Sequence, residues 1–73
     1  MMYNTQLETF LKVAESGSFS KTAELLYITP PAVTKQINLL EEDLGLTLFV
    51  RTHRGLKLTP AGQSLYKDTS YLI

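Results

Sequence analysis

The stretch Thr29 to Gly45, TPPAVTKQINLLEEDLG, carries a helix start, a helix stop and one apolar stripe between them. Together these leave the surrounding chain few options. Thr29 is a good N-cap, Pro30 suits the first helical position, and Gly45 accepts the left-handed backbone that closes a last turn. Val33, Ile37, Leu40 and Leu44 recur at intervals of four, three and four residues, and at about 100° per residue this gathers them on one face. The spacing predicts a buried stripe there. Pro31, Lys35, Asn38 and Glu42 fall on the opposite face, with Thr34 at its margin. Whatever this helix meets, it meets with its polar N-terminal half, as a recognition helix does.

The flanking segments read as elements that hold this helix. Thr5 and Glu8 have capping-box spacing, and Leu7, Phe10, Leu11 and Ala14 mark the buried face of a helix running to about Glu15, with Gly17 as its stop. Ser18 or Ser20 caps a second, short helix through Leu26, whose buried set is Phe19, Ala23 and Leu26. Tyr27 and Ile28 then turn the chain into Thr29, which is the layout of a helix-turn-helix. Beyond Gly45 the pattern becomes extended, with Leu48 to Arg51 and Leu56 to Leu58 on either side of THRG. This predicts a β-hairpin in which Gly55 supplies the positive φ of the turn. Thr59 and Pro60 repeat the cap-and-proline start, so a fourth helix follows, with Ala61, Leu65, Thr69 and Leu72 as its stripe. That stripe is still running at Ile73, and the chain is expected to be a fragment. The fold class is mainly α: a winged helix-turn-helix with a three-helix core, a two-stranded wing and a further helix.

Composition bounds the chemistry. A chain of 73 residues makes one small domain with no room for a cofactor domain, and no cofactor is expected. Seven basic and seven acidic side chains cancel, so any case for nucleic acid rests on where the charges sit. They sit unevenly: Glu41, Glu42 and Asp43 form an acidic run, whereas Arg51, His53, Arg54 and Lys57 cluster with no acid among them. The absence of cysteine excludes disulfides and thiolate zinc sites and suits the cytoplasm. The N-terminal MMYNTQLETF has no export signature, and no apolar segment approaches membrane-spanning length, so no membrane association is expected. His53 is the only histidine and has no spaced carboxylate or nucleophile with it, which argues against an enzyme.

The basic cluster falls on the predicted wing, where Arg54 at the tip can reach an adjacent groove of a duplex and Arg51 and Lys57 can reach phosphates. Arg51 has a second reading, as an ion-pair partner of Glu41, Glu42 or Asp43. On the recognition helix, Lys35 can bind a phosphate or guanine, Thr34 either kind of partner, and Asn38 adenine. Pro30 and Pro31 lack N–H donors, so anion binding at this terminus is expected to be weak, and their rings offer apolar contact instead, for example with a thymine methyl. The alternative is a winged-helix module that binds protein through Leu25 and Leu39.

FLKVAESGSFSKTAELL, PPAVTKQINLLEEDLG and LFVRTHRGLKLTPAG, in that order, resemble the N-terminal DNA-binding domain of LysR-type transcriptional regulators. The resemblance spans nearly the whole chain from Leu7. It implies a winged helix-turn-helix over 1–59 and, over 60–73, the start of a linker helix through which the full-length protein forms a homodimer, or a tetramer. It also implies a larger C-terminal domain that binds an inducer, so no effector binding is expected of these residues. By the same resemblance Thr34 and Lys35 match the family's usual Ser-Arg pair, Arg51 and Arg54 match basic wing positions, with His53 between them and Ser20 and Lys21 at the start of the second helix. Pro30 stands where a glutamine commonly contacts DNA, Thr22 replaces the first of two alanines, and Leu39 occupies a site that is usually basic. The implied function is sequence-specific binding of double-stranded DNA by a bacterial regulator.

Overall fold

The computed structural model describes the backbone of residues 5–72 and the side chains of residues 5–70. Its elements are α1 (Thr5–Ser16), α2 (Phe19–Leu26), α3 (Pro30–Leu44), β1 (Phe49–Thr52), β2 (Gly55–Leu58) and α4 (Pro60–Leu72). α1 packs on α2, α3 and α4, α2 packs on α3, and α4 also touches β2. The expected winged helix-turn-helix is therefore present. β1 and β2 pair antiparallel in the register Phe49↔Leu58, Val50↔Lys57, Arg51↔Leu56 and Thr52↔Gly55.

Local signals placed most element ends. Thr29 caps α3, accepting from the Ala32 amide at 3.3 Å, and Ser18 rather than Ser20 caps α2, accepting from the Lys21 amide at 3.1 Å. Gly45 closes α3 at φ 67°, and the Leu46 amide donates back to the Glu41 carbonyl at 3.2 Å. Thr5 already lies inside α1; the residue that would cap it falls outside the described residues. α2 ends on Tyr27 at φ 59°. A tyrosine does here what glycine usually does, which left no sequence signal of the cap.

The core gathers Phe10, Leu11, Val13, Ala23, Val33, Ile37, Leu40 and Leu48. Four expected burials in α1 and α2 shift, Leu7 among them being half-buried. Ala14 is half-buried and Val13 takes its place, while Phe19 and Leu26 are half-buried. Thr9 and Thr22 are fully buried although neither belongs to the apolar sets. Both are satisfied: the Thr9 hydroxyl donates to Gln36 Oε1, and Thr22 shares a 2.9 Å hydrogen bond with Ser16 Oγ, which also donates to the Ser18 carbonyl. Burial of a hydroxyl costs little once it is paired.

Leu44, expected in the α3 stripe, is 43% exposed. Facing is not the reason, because eleven residues past Val33 a helix has turned about three times and returned to within about 20° of the same direction. What differs is the cover, since among the described residues the end of α3 is packed less completely than its middle, where Val33, Ile37 and Leu40 are buried. α4 starts as expected, with Thr59 Oγ1 accepting from the Gly62 amide at 3.0 Å and donating to the Thr47 carbonyl at 2.5 Å. Gly62 is buried against the wing base; a Cβ there would sit 2.3 Å from the Leu48 carbonyl oxygen. In the α4 stripe Thr69 is buried and Ala61 and Leu65 are half-buried. The expectations for the Leu72 and Ile73 side chains fall outside the described residues.

Candidate nucleic-acid interface

α2, α3 and the wing enclose an open cleft of about 850 Å³. Its floor is the outward face of α3, where Pro31, Thr34, Lys35 and Asn38 follow one another at helical spacing because Val33, Ile37 and Leu40 hold the opposite face in the core. Pro30 stands at its leading end and Ser20 on the α2 side. Arg51 closes it from β1, above Leu56 of β2. Ser20, Pro30, Pro31, Thr34, Lys35, Asn38 and Arg51, seven of the ten residues singled out from sequence, thus share one surface.

The other three lie apart. Lys21 is exposed on α2, and His53 and Arg54 are the two residues of the turn between β1 and β2, both exposed. The turn is tied from within: Thr52 Oγ1 accepts from the Arg54 amide at 3.1 Å and donates to the Gly55 carbonyl at 2.8 Å. This fixes the tip backbone and leaves the Arg54 side chain extending from it. Lys57 pairs with Val50 while Arg51 pairs with Leu56. Strand alternation therefore sends Arg51 and Lys57 to opposite faces of the wing, and only Arg51 lines the cleft.

The acidic run separates in the same way. The Glu41 carboxylate turns under the wing and accepts from the Leu48 and Phe49 amides at 2.7 and 3.4 Å. Glu42 lines the cleft and Asp43 is exposed. None of the three pairs with Arg51: among the described residues the one ion pair is Lys12 with Glu15 at 3.9 Å. The Arg51 guanidinium lies instead over the Phe19 ring, 5.0 Å from its centroid. That contact was not legible in sequence, where Phe19 belongs to an apolar set and Arg51 to a basic one.

The two helix termini at the cleft differ in what they offer. At α3, two of the first amides are prolines, and those of Ala32 and Val33 are used by Thr29. The leading end of α3 presents ring surface rather than donors, as the sequence indicated. At α2, Phe19 and Ser20 follow the Ser18 cap, and amides in a first turn have no acceptor within the helix. Any backbone donors for an anion are therefore on α2. Leu39 and Glu42, also in the cleft, leave Lys35 and Arg51 as its cations. Leu39 and Leu25 are 39% and 52% exposed, and only Leu39 reaches the cleft.

Residues 4–63 match the family described as bacterial regulatory helix-turn-helix protein, lysR family. The chain is 47% identical over 68 residues to the HTH-type transcriptional regulator ClcR of Pseudomonas putida, covering 93% of this chain and 23% of that protein. It thus spans under a quarter of the length of that relative. Two similar solved structures are DNA complexes. The BenM DNA-binding domain on the catB site 1 DNA superposes with a TM-score of 0.90 at 39% identity, over 97% of this chain and 80% of that one. The CbnR DNA-binding domain complex gives 0.88 at 39% identity, over 97% and 82%.

Proposed function

Because the chain belongs to the lysR family of bacterial regulatory helix-turn-helix proteins, we propose that it binds duplex DNA sequence-specifically, with α3 in the major groove and the wing on the flanking backbone or minor groove. The observation that carries this is the shared cleft, in which Thr34, Lys35 and Asn38 on α3 stand beside Arg51 of the wing. In this reading Thr34 and Lys35 meet base edges, Pro31 packs on a thymine methyl, and Asn38 reaches the bases where α3 lies deep. Pro30 starts the helix and borders the contact. Ser20 and Lys21, with the first amides of α2, take a backbone phosphate, and His53 and Arg54 follow the wing tip to the flanking backbone or minor groove.

Residues 1–59 form the binding domain in this proposal and 60–73 the start of a linker helix. In the whole protein that helix joins two copies, or four, placing recognition helices on half-sites about one helical turn or a multiple apart. The whole protein acts as a cytoplasmic regulator of transcription, with no catalytic role for this domain.

Selection of bound sequences from a random duplex pool, followed by titration across salt, tests the reading. Arg54→Ala is expected to lower the salt slope by about 0.9 for a lost phosphate contact, or to change A·T preference where the side chain enters the minor groove. Lys35→Ala is expected to change which major-groove bases are selected. Unchanged affinity and sequence preference for both variants would rule out this docking, and the absence of salt-dependent DNA binding would favour a protein partner.

A further inference from the structure

Arg51 reaches a cleft that Glu42 also lines, yet among the described residues its side chain meets the Phe19 ring and forms no ion pair. That ring is itself held in place. It stands edge-on to Phe49, with centroids 6.2 Å apart and planes at 79°, and Phe49 packs on Phe10 at 5.5 Å. Phe10 is fully buried. Three rings from three elements, α1, β1 and α2, thus form a line from the core to the guanidinium. Phe19 also opens α2 directly after its cap, so its backbone is fixed at the mouth of the cleft.

The consequence follows from how guanidinium groups bind. Attraction to the face of a ring acts through the charge, and it leaves the N–H donors available to a further acceptor. Pairing with Glu41, Glu42 or Asp43 would have occupied those donors. With only Lys35 and Arg51 as cations in the cleft, a guanidinium held in place yet unpaired matters more than it would on a strongly basic surface.

We propose that Phe19 is a positioning residue that holds Arg51 over the cleft with its N–H edge free for one phosphate of the duplex backbone. The proposal rests on the reading of the cleft as a DNA interface. It makes the ring act through the guanidinium, so that losing Phe19 matters only while Arg51 is present.

A double-mutant cycle on the 73-residue chain tests it, read as affinity for one mixed-sequence DNA duplex over a range of salt, because a phosphate contact is made on any sequence. Arg51→Gln is expected to lower the salt slope by about 0.9. Phe19→Leu is expected to weaken binding about two- to fivefold while Arg51 is present, and to add nothing in the Arg51→Gln background. Phe19→Tyr keeps the ring face and is expected to bind like the parent. An equal loss in both backgrounds would assign Phe19 a packing role only, and parental affinity for Phe19→Leu would likewise overturn the proposal. If the parent fails to bind any duplex, the reading of the cleft falls and this proposal with it. Proton chemical shifts of the free parent give a check that does not depend on the leucine variant folding. The Arg51 side-chain methylenes are expected to be displaced upfield by the ring, and random-coil shifts there would overturn the contact.

Discussion

The floor of the cleft, α3, and the wing that closes it are built on different principles. α3 is anchored along its length by Val33, Ile37 and Leu40, which are 0%, 2% and 5% exposed. The wing has no buried residue in either strand; Phe49, Leu56 and Leu58 are half-buried and the rest exposed. It is held by point attachments at its base: Leu48 in the core, Phe49 between Phe10 and Phe19, Glu41 on two amides, and Gly62 beneath the Leu48 carbonyl. Continuous burial fixes the position of a helix, and with it the spacing of every side chain it presents. Point attachment fixes the root of a hairpin, while the tip is held only by its own turn hydrogen bonds.

The anchor of α3 is expected to be more sensitive to truncation than the attachments of the wing. Ile37→Ala removes methylenes from the middle of the stripe and is expected to cost about 2–5 kcal/mol, a large share of the stability of a small domain. Thermal or denaturant unfolding measures it, and a melting temperature equal to the parent's would mean that α3 is not held by burial.

At the root of the wing, Gly62→Ala places a methyl group against a backbone carbonyl that cannot rotate away. An overpacking cost of about 1–3 kcal/mol is expected. Because the strain falls between α4 and Leu48, the amide shifts of residues 47–50 are expected to move more than those of α3. Perturbation confined to α3 would place the join elsewhere.

The smallest effect concerns the carboxylate strut. Glu41→Ala leaves two amides without their acceptor and is expected to cost about 1–2 kcal/mol, since the part-buried site lets water replace some of what is lost. Hydrogen exchange is expected to quicken at Leu48 and Phe49 before it does in α3. Glu41→Gln keeps an acceptor oxygen and is expected to recover most of the loss. Equal exchange rates in parent and alanine variant would remove Glu41 from the attachments of the wing.

Much of the fold was legible because its signals are local. Thr29, Pro30 and Gly45 set the limits of α3 within one turn of themselves, and the alternation around THRG marked the hairpin. The outward face of α3 was legible too, since it is the complement of the buried stripe. Four of the ten candidate residues, Pro31, Thr34, Lys35 and Asn38, share the cleft for that reason, whereas Ser20 and Arg51 reach it from α2 and the wing. The basic cluster of the wing is divided between its two faces, Arg51 on one and Lys57 on the other, which the pairing register decides and proximity in sequence does not. A count of two along the strand from Phe49 would have found Arg51 on the inner side.

The sequence by itself determined where most helices start and stop, which face of α3 is polar, and where the hairpin turns, because each depends on groups within about four residues of one another. Only the tertiary structure decided the rest. Leu44 is exposed and Thr9 and Thr22 are buried because burial depends on what lies opposite, not on the residue's own pattern. Glu41 leaves its acidic neighbours to bind the Leu48 and Phe49 amides, and Arg51 settles on Phe19 rather than on an acid. Both partners are fixed by the position that β1 takes against α2 and α3, and no periodicity within a single segment carries that information.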